Sequence, residues 1–316
     1  MSSGAHPREP QAAQLRSGLA RYFAATRPAF LTVTLVGCLI GLAAAHRDGV
    51  AIDALTALGT VLLAVVVHAG VNVINDYHDA RSGADAANTR RLFPFTGGSR
   101  FIQNGVLSEP AVGRYGYLLL AAVVPAGLLL AWQTGAGLLA IGAAGLFVGW
   151  AYSAPPLALM SRGLGELAIA AGWLLVVVGS DYVQRHAFAP LPLAAGLSYA
   201  LLVANLLFIN QFPDHDGDAA TAKRTLVVRL GPQVAKWGYL LIAIFAYGWL
   251  VAMVARKVLP QQTAAAAMTL VLSFSAAREL LHHAEDPPAL APAIKRTILA
   301  TNLHGLLLAA ALAWGR

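Results

Sequence analysis

Apolar stretches near the ~20 residues that carry a helix across a bilayer recur along this 316-residue chain. They fall at roughly 29–46, 52–75, 113–132, 135–152, 164–183, 191–212, 234–255, 260–280 and 294–314. A backbone in hydrocarbon must satisfy its own hydrogen bonds, so only helices and closed barrels span membranes. Continuous apolar runs of this length select helices. Charged residues make up 12% of the chain, against about 25% in a soluble domain, and mean hydropathy is +0.63. The expectation is an all-α, polytopic membrane bundle of nine transmembrane helices.

The net charge of +7 raises nucleic acid or an anionic membrane surface as partners, and its distribution decides between them. With nine spans, the N-terminus and the even-numbered loops share one side. All but five of the 22 Lys and Arg lie there, the five being Arg47, Arg185, Arg256, Lys257 and Arg316. Cytoplasmic loops carry the Lys/Arg excess, so the sequence predicts a multi-pass protein of the inner (cytoplasmic) membrane with a cytoplasmic N-terminus. No basic block interleaved with aromatics occurs, which argues against nucleic acid. One cysteine, Cys38, excludes a disulfide framework and a thiolate metal site. Residues 1–12 have no apolar core, so no cleavable signal peptide is read. Residues 13–26 read as a short interfacial helix ended by Arg27-Pro28. The division is therefore 1–27, polar tail and interfacial helix, and 28–316, the membrane domain.

Two polar runs break this apolar background. They are Asn72-Val-Ile-Asn75-Asp76-Tyr-His-Asp79-Ala-Arg-Ser-Gly83-Ala-Asp85 and Asn210-Gln-Phe-Pro-Asp214-His-Asp216-Gly-Asp218. Six of the fifteen acidic residues sit in them, at the ends of the second and sixth spans. Carboxylates beside a membrane segment are costly without a cation or a polar cavity. On a helix, Asn72, Asn75 and Asp79 share one face, as do Asn210, Asp214 and Asp218. Such oxygen-only stripes suit Mg²⁺, which binds through one or two carboxylates plus substrate phosphates. Asp76 points partly away and ranks below Asp79. Asp85 lies beyond Gly83 and can fold back onto the same ion, whereas Asp216 is off the face and solvated. Pro213 removes a helical hydrogen bond and either breaks the helix or tilts the carboxylates toward a cavity.

A diphosphate bridging two such sites also needs cationic partners. Lys223 and Arg224 follow the second run, Arg100 follows Gly97-Gly98-Ser99, and Arg162 ends the loop after the fourth span. Each also reads as a topology signal. Backbone N–H groups of Gly97-Gly98-Ser99 can face an anion. The long hydrophilic segment 80–112 is expected to cap the mouth of the bundle. Tyr152, before Pro155-Pro156, either stabilises a nearby cation or anchors at the interface. Glu166 caps the fifth span or contacts substrate. His68 and His304 bond helix to helix or serve as bases.

At these residues the chain resembles the UbiA superfamily of intramembrane aromatic prenyltransferases. The resemblance covers nearly the whole chain. It rests on Asn75-Asp76-Tyr77-His78-Asp79, Asp214 to Asp218, Tyr152 with Pro155-Pro156-Leu157, and Lys223-Arg224-Thr225-Leu226 with Leu230-Gly231. It implies nine helices around a central cavity opening to the cytoplasmic side, with a lateral opening for an isoprenoid tail. It further implies Mg²⁺ as cofactor, with Asn75, Asp76, Asp79, Asp85, Asn210, Asp214 and Asp218 as the metal set. Asp79, Asp214 and Tyr152 then carry the chemistry, and Asn72, His68, Arg100, Arg162, Lys223 and Arg224 bind substrate. Gly83 stands where relatives acting on 4-hydroxybenzoate usually place an Asp, and the acid comes two residues later as Asp85. That pattern resembles the 1,4-dihydroxy-2-naphthoate branch of menaquinone synthesis.

The implied activity is Mg-dependent transfer of a polyprenyl group from polyprenyl diphosphate to an aromatic acceptor, within membrane lipid. Other acceptors, namely 4-hydroxybenzoate, a tetrapyrrole or a lipid, keep the same chemistry. A cation channel or transporter is the alternative of another class. Against it, the acids lie at one membrane face and not at the midplane. No protein partner can be inferred from the sequence.

Overall fold

The computed structural model describes residues 9–15 and 17–314. Most of the polar tail lies outside them, as do Arg8, Arg16 and Arg316 of the charge asymmetry. Among the described residues the chain is all-α with no strand. After α1 (Gly18–Ala25) come α2 (Thr32–Arg47), α3 (Ala54–Ser82), the short α4 (Ala84–Ala87), α5 (Glu109–Thr134) and α6 (Gly137–Ser153). Then follow α7 (Gly165–Arg185), α8 (Pro190–Ala219), the short α9 (Leu226–Leu230), α10 (Pro232–Ala255), α11 (Leu270–His283) and α12 (Ala291–Trp314). The expected interfacial helix is α1, later in onset than 13–26, with Leu19 and Phe23 exposed on one edge.

Eight helices, counting the 3₁₀ turns that lead into α2, α11 and α12, are long and apolar enough to cross a membrane. The remaining expected span is α6, at 17 residues, or about 25 Å at 1.5 Å per residue. The protein is thus a multi-pass membrane protein. Both polar runs extend their helices beyond the apolar stretch, α3 to Ser82 and α8 to Ala219. Pro213 does not break α8, which runs through it.

α8 is the most enclosed span. It packs against α7, α10, α12 and α2, with Ile40, Tyr199, Leu250 and Leu308 in one core and Phe208, Phe212, Tyr239 and Leu280 in a second. Small residues bring helices close, as membrane bundles require. A β-carbon on Gly41 would overlap the Val177 carbonyl, and one on Gly305 would overlap Val36. α10, α11 and α12 close the back of the bundle. α2, α3, α5, α6, α7 and α8 instead surround a cavity of about 580 Å³. Residues 84–98 roof one end of it, the role expected of the long hydrophilic segment.

Candidate active site

α3 and α8 end at the same mouth of the cavity. The C-terminus of a helix carries partial negative charge, so both ends favour a cation before any side chain is counted. Their polar stripes face one another. The Lys223 ammonium lies 3.0 Å from Asp79 on α3 and 3.2 Å from Asp218 on α8, all three side chains being nearly buried. Asn75 Nδ2 donates to Asp79 at 3.1 Å, one turn deeper. Burial disfavours the Lys223 charge, but Asp79, Asp218, Asp214 and Asp85 outweigh it and hold its pKa well above the ordinary value.

The roof meets the carboxylates through its main chain. Gly97 N–H donates to Asp214 at 3.4 Å, and Ser99 N–H donates to both oxygens of Asp76 at 3.2 and 3.3 Å. The Gly97-Gly98-Ser99 turn does face an anion, the protein's own. Gly98 has φ +72°, and a β-carbon there would lie 2.7 Å from Asp85 and 3.1 Å from Asp76. The roof can come this close only through glycine. Asp85, on α4, lines the cavity and accepts from Gln103 at 3.1 Å. Burial, then the charges of Asp79, Asp76 and Asp214, push its pKa up to about 8 against the opposing pull of Lys223.

Of the residues that the resemblance assigns to metal, chemistry or substrate, all line this cavity except Asp76, Arg100, Arg162 and Arg224. Asp76 is buried beneath the roof, with Arg27 3.9 Å away. Arg100 is not among the lining residues; it donates to the Asp85 carbonyl at 2.5 Å and lies 3.9 Å from Glu9, so it props the roof. Arg162 donates to the Pro156 carbonyl at 2.8 Å on the exterior. Arg224 is exposed, its backbone N–H tied to Ser161. Lys223 and Arg27 are the Lys and Arg among the lining residues. Asp216 faces Arg90 and His215 outside, as expected. Asn72 donates to the Thr26 carbonyl at 3.0 Å, and His68 bonds Thr34 at 2.8 Å, helix to helix. His304 is bonded to Ser198 far from the site. Glu166 accepts from Gln211 and does not line the cavity.

Three contributors escaped the sequence reading. Arg27 reads in sequence as a helix stop, Gln211 lies between the stripe positions, and Asn88 sits in an ordinary polar loop. Asn88 Nδ2 donates to Asp214 Oδ1, 126 residues away, so no local spacing announces it.

The residues fit a divalent cation. The donors are carboxylate and amide oxygens, and two lining residues, Asn88 and Asn210, each have a buried Oδ1 with no hydrogen-bond partner. An acceptor left so costs about 1–3 kcal/mol, which a cation would recover. Among the described residues no three carboxylate or histidine groups by themselves form a cage. That matches an ion held by few protein groups and completed by phosphate oxygens. Below this polar end the wall is apolar, with Val67, Leu146, Trp173 and Leu207 among its residues.

The fold and site are those of a membrane-embedded helical bundle with oxygen-rich side chains at one end of an apolar cavity. A family comparison makes this specific. The UbiA prenyltransferase family model matches residues 34–299, so the chain belongs to that family and is a prenyltransferase. It is 28% identical to the 1,4-dihydroxy-2-naphthoate octaprenyltransferase of Escherichia coli (strain K12), over 89% of this chain and 91% of that protein. It is also 28% identical to the 2-carboxy-1,4-naphthoquinone phytyltransferase of Synechocystis sp., over 93% of each. A solved UbiA homologue from Archaeoglobus fulgidus bound to DMAPP and Mg²⁺ shares the fold, with a TM-score of 0.68 at 14% identity, over 93% of this chain and 99% of that one.

Proposed function

We propose that the protein transfers a polyprenyl group from a polyprenyl diphosphate to 1,4-dihydroxy-2-naphthoate, with Mg²⁺ as cofactor, at the cytoplasmic mouth of the bundle. The observation that carries the reading is the convergence of Asp79 and Asp218 on Lys223 over an apolar cavity. The similarity to proteins named for naphthoate acceptors supports the choice of acceptor, and the Lys/Arg asymmetry supports the orientation.

Oxygens of Asn75, Asp79, Asp85, Asn210, Asp214 and Asp218 would hold the cation, which when bound would supply charge neutralisation for the diphosphate. Lys223 sits where it can pass from carboxylate to phosphate oxygens as that charge develops, a form of electrostatic stabilisation prepared in advance. The bond between prenyl C1 and the diphosphate oxygen breaks and the diphosphate leaves. The ring carbon bearing the acceptor's carboxylate attacks C1, and CO₂ departs from that carbon. The apolar wall excludes water that would quench the allylic cation, and the Tyr152 ring lies on that wall to shield it. The same wall weighs against ion conduction, which needs polar groups along the path.

The test is a mass-spectrometric product assay on purified protein with polyprenyl diphosphate, Mg²⁺, dihydroxynaphthoate and 4-hydroxybenzoate in competition. A 2-prenylated naphthalene-1,4-diol, formed with loss of CO₂, is expected. Exclusive prenylation of hydroxybenzoate would overturn the acceptor, and ion flux in liposomes without diphosphate would overturn the enzyme reading.

A further inference from the structure

Asn88 does more than hold the roof. It is 3% exposed, and it ends α4 where the chain turns back over the cavity. The backbone there is fixed from two sides. Arg91 donates to the Asn88 carbonyl at 2.7 Å. From below, Gly217 on α8 comes so near that a β-carbon would fall 2.7 Å from Asn88 Cβ and 2.9 Å from its nitrogen. Only glycine between Asp216 and Asp218 lets the loop seat Asn88 against the second acidic run.

The amide orientation follows from its neighbour. The amide group facing Asp214 is the NH₂, which donates to Asp214 Oδ1. The other atom is the oxygen. That oxygen is buried and has no hydrogen-bond partner, on a residue that lines the cavity. It is an acceptor, and a diphosphate brings acceptor oxygens, so a diphosphate cannot satisfy it. A cation can. Asn210 Oδ1, on α8 one turn from Asp214, is left open in the same way.

Building on the prenyltransferase reading, we propose that Asn88 is a ligand of the divalent cation at the second acidic run. Its Oδ1 takes the ion while its Nδ2 holds Asp214 in position. The second run then draws on the loop after α4 as well as on α8, and the cation ties the roof to the bundle.

The experiment titrates Mn²⁺ into the full detergent-solubilised chain with inorganic pyrophosphate, following bound ion by electron paramagnetic resonance and melting temperature with and without metal. For Asn88→Ala, the Mn²⁺ midpoint is expected to rise by about tenfold or more, and the metal-free melting temperature reads separately the loss of the bond to Asp214. Asn88→Asp keeps the size and an acceptor but sets a second carboxylate against Asp214. It is expected to melt lower without metal and to recover when Mn²⁺ and pyrophosphate are added. An unchanged midpoint in Asn88→Ala, or no recovery in Asn88→Asp, overturns the ligand role and leaves the enzyme reading intact. Failure of the wild-type protein to bind Mn²⁺ with pyrophosphate overturns both.

Discussion

Asp216 sits two residues from both Asp214 and Asp218, yet its carboxylate meets Arg90 at 3.0 Å and His215 at 2.9 Å outside the cavity. Direction on the helix, not proximity in sequence, separates a ligand from a surface acid. Asp79→Ala and Asp214→Ala are expected to lower kcat by about a hundredfold or more while the protein stays folded in the membrane. Asp216→Ala should retain near wild-type turnover, and product formation under saturating Mg²⁺ measures all three. Gly98 allows a sharper comparison. Alanine there suffers the left-handed backbone, about 1–2 kcal/mol, and also drives a methyl into Asp85 and Asp76. Gly105 has φ +64° with nothing within 4 Å, so Gly105→Ala bears the backbone cost alone. Both variants are expected to melt lower, and only Gly98→Ala should lose activity. The same residues show what the sequence could reveal. Helical spacing marked Asn75, Asp79, Asn210, Asp214 and Asp218 because their register is local. Asn88 and Arg27 reach the site through turns and tertiary approach, which leave no periodic trace, and Arg100 looked like a clamp because nothing local reveals that its guanidinium faces the Asp85 carbonyl.

At the level of elements, α3 and α8 are joined by a loop residue. Lys223, between α8 and α9, satisfies Asp79 and Asp218 together and so balances repulsion among acids that no other cation reaches as closely among the described ion pairs. Removing one partner of a buried ion pair is costly, about 3–5 kcal/mol, because the other charges remain. Lys223→Met is therefore expected to lower the melting temperature of metal-free protein by several degrees. Added Mg²⁺ should restore much of the loss by taking over neutralisation of the carboxylates. The wild type, already carrying its own cation, should gain less from Mg²⁺ alone. Thermal melts of both proteins with and without Mg²⁺ measure this, and equal Mg²⁺ responses would contradict it. Helix existence was legible because apolar length is set by bilayer thickness. Helix ends were not, since the polar turns of α3 and α8 that carry the site project past the apolar run.

On the scale of the whole molecule, the cavity is walled unevenly. Toward α8 it is closed by tightly packed helices, with α10 and α12 packed behind α8. Between α5 and α6 it opens, for Leu128 and Leu139 line the cavity and are also 54% and 46% exposed. On the same wall Gly127, Gly142 and Gly145 each have room for a β-carbon with nothing within 4 Å. Glycine in a helix interior costs up to about 1 kcal/mol relative to alanine, and here it buys no helix contact, so the space itself is what these positions keep. A hydrocarbon tail entering from the carboxylate end can leave through this gap into lipid, and its far end is then unconstrained by protein. Tail length should therefore discriminate weakly in the wild type. Gly145→Phe fills the gap without touching the polar end. It is expected to leave turnover with a short diphosphate nearly unchanged and to lower turnover with long ones, as read by product masses from a mixture of chain lengths. Equal losses across all lengths would place the tail elsewhere.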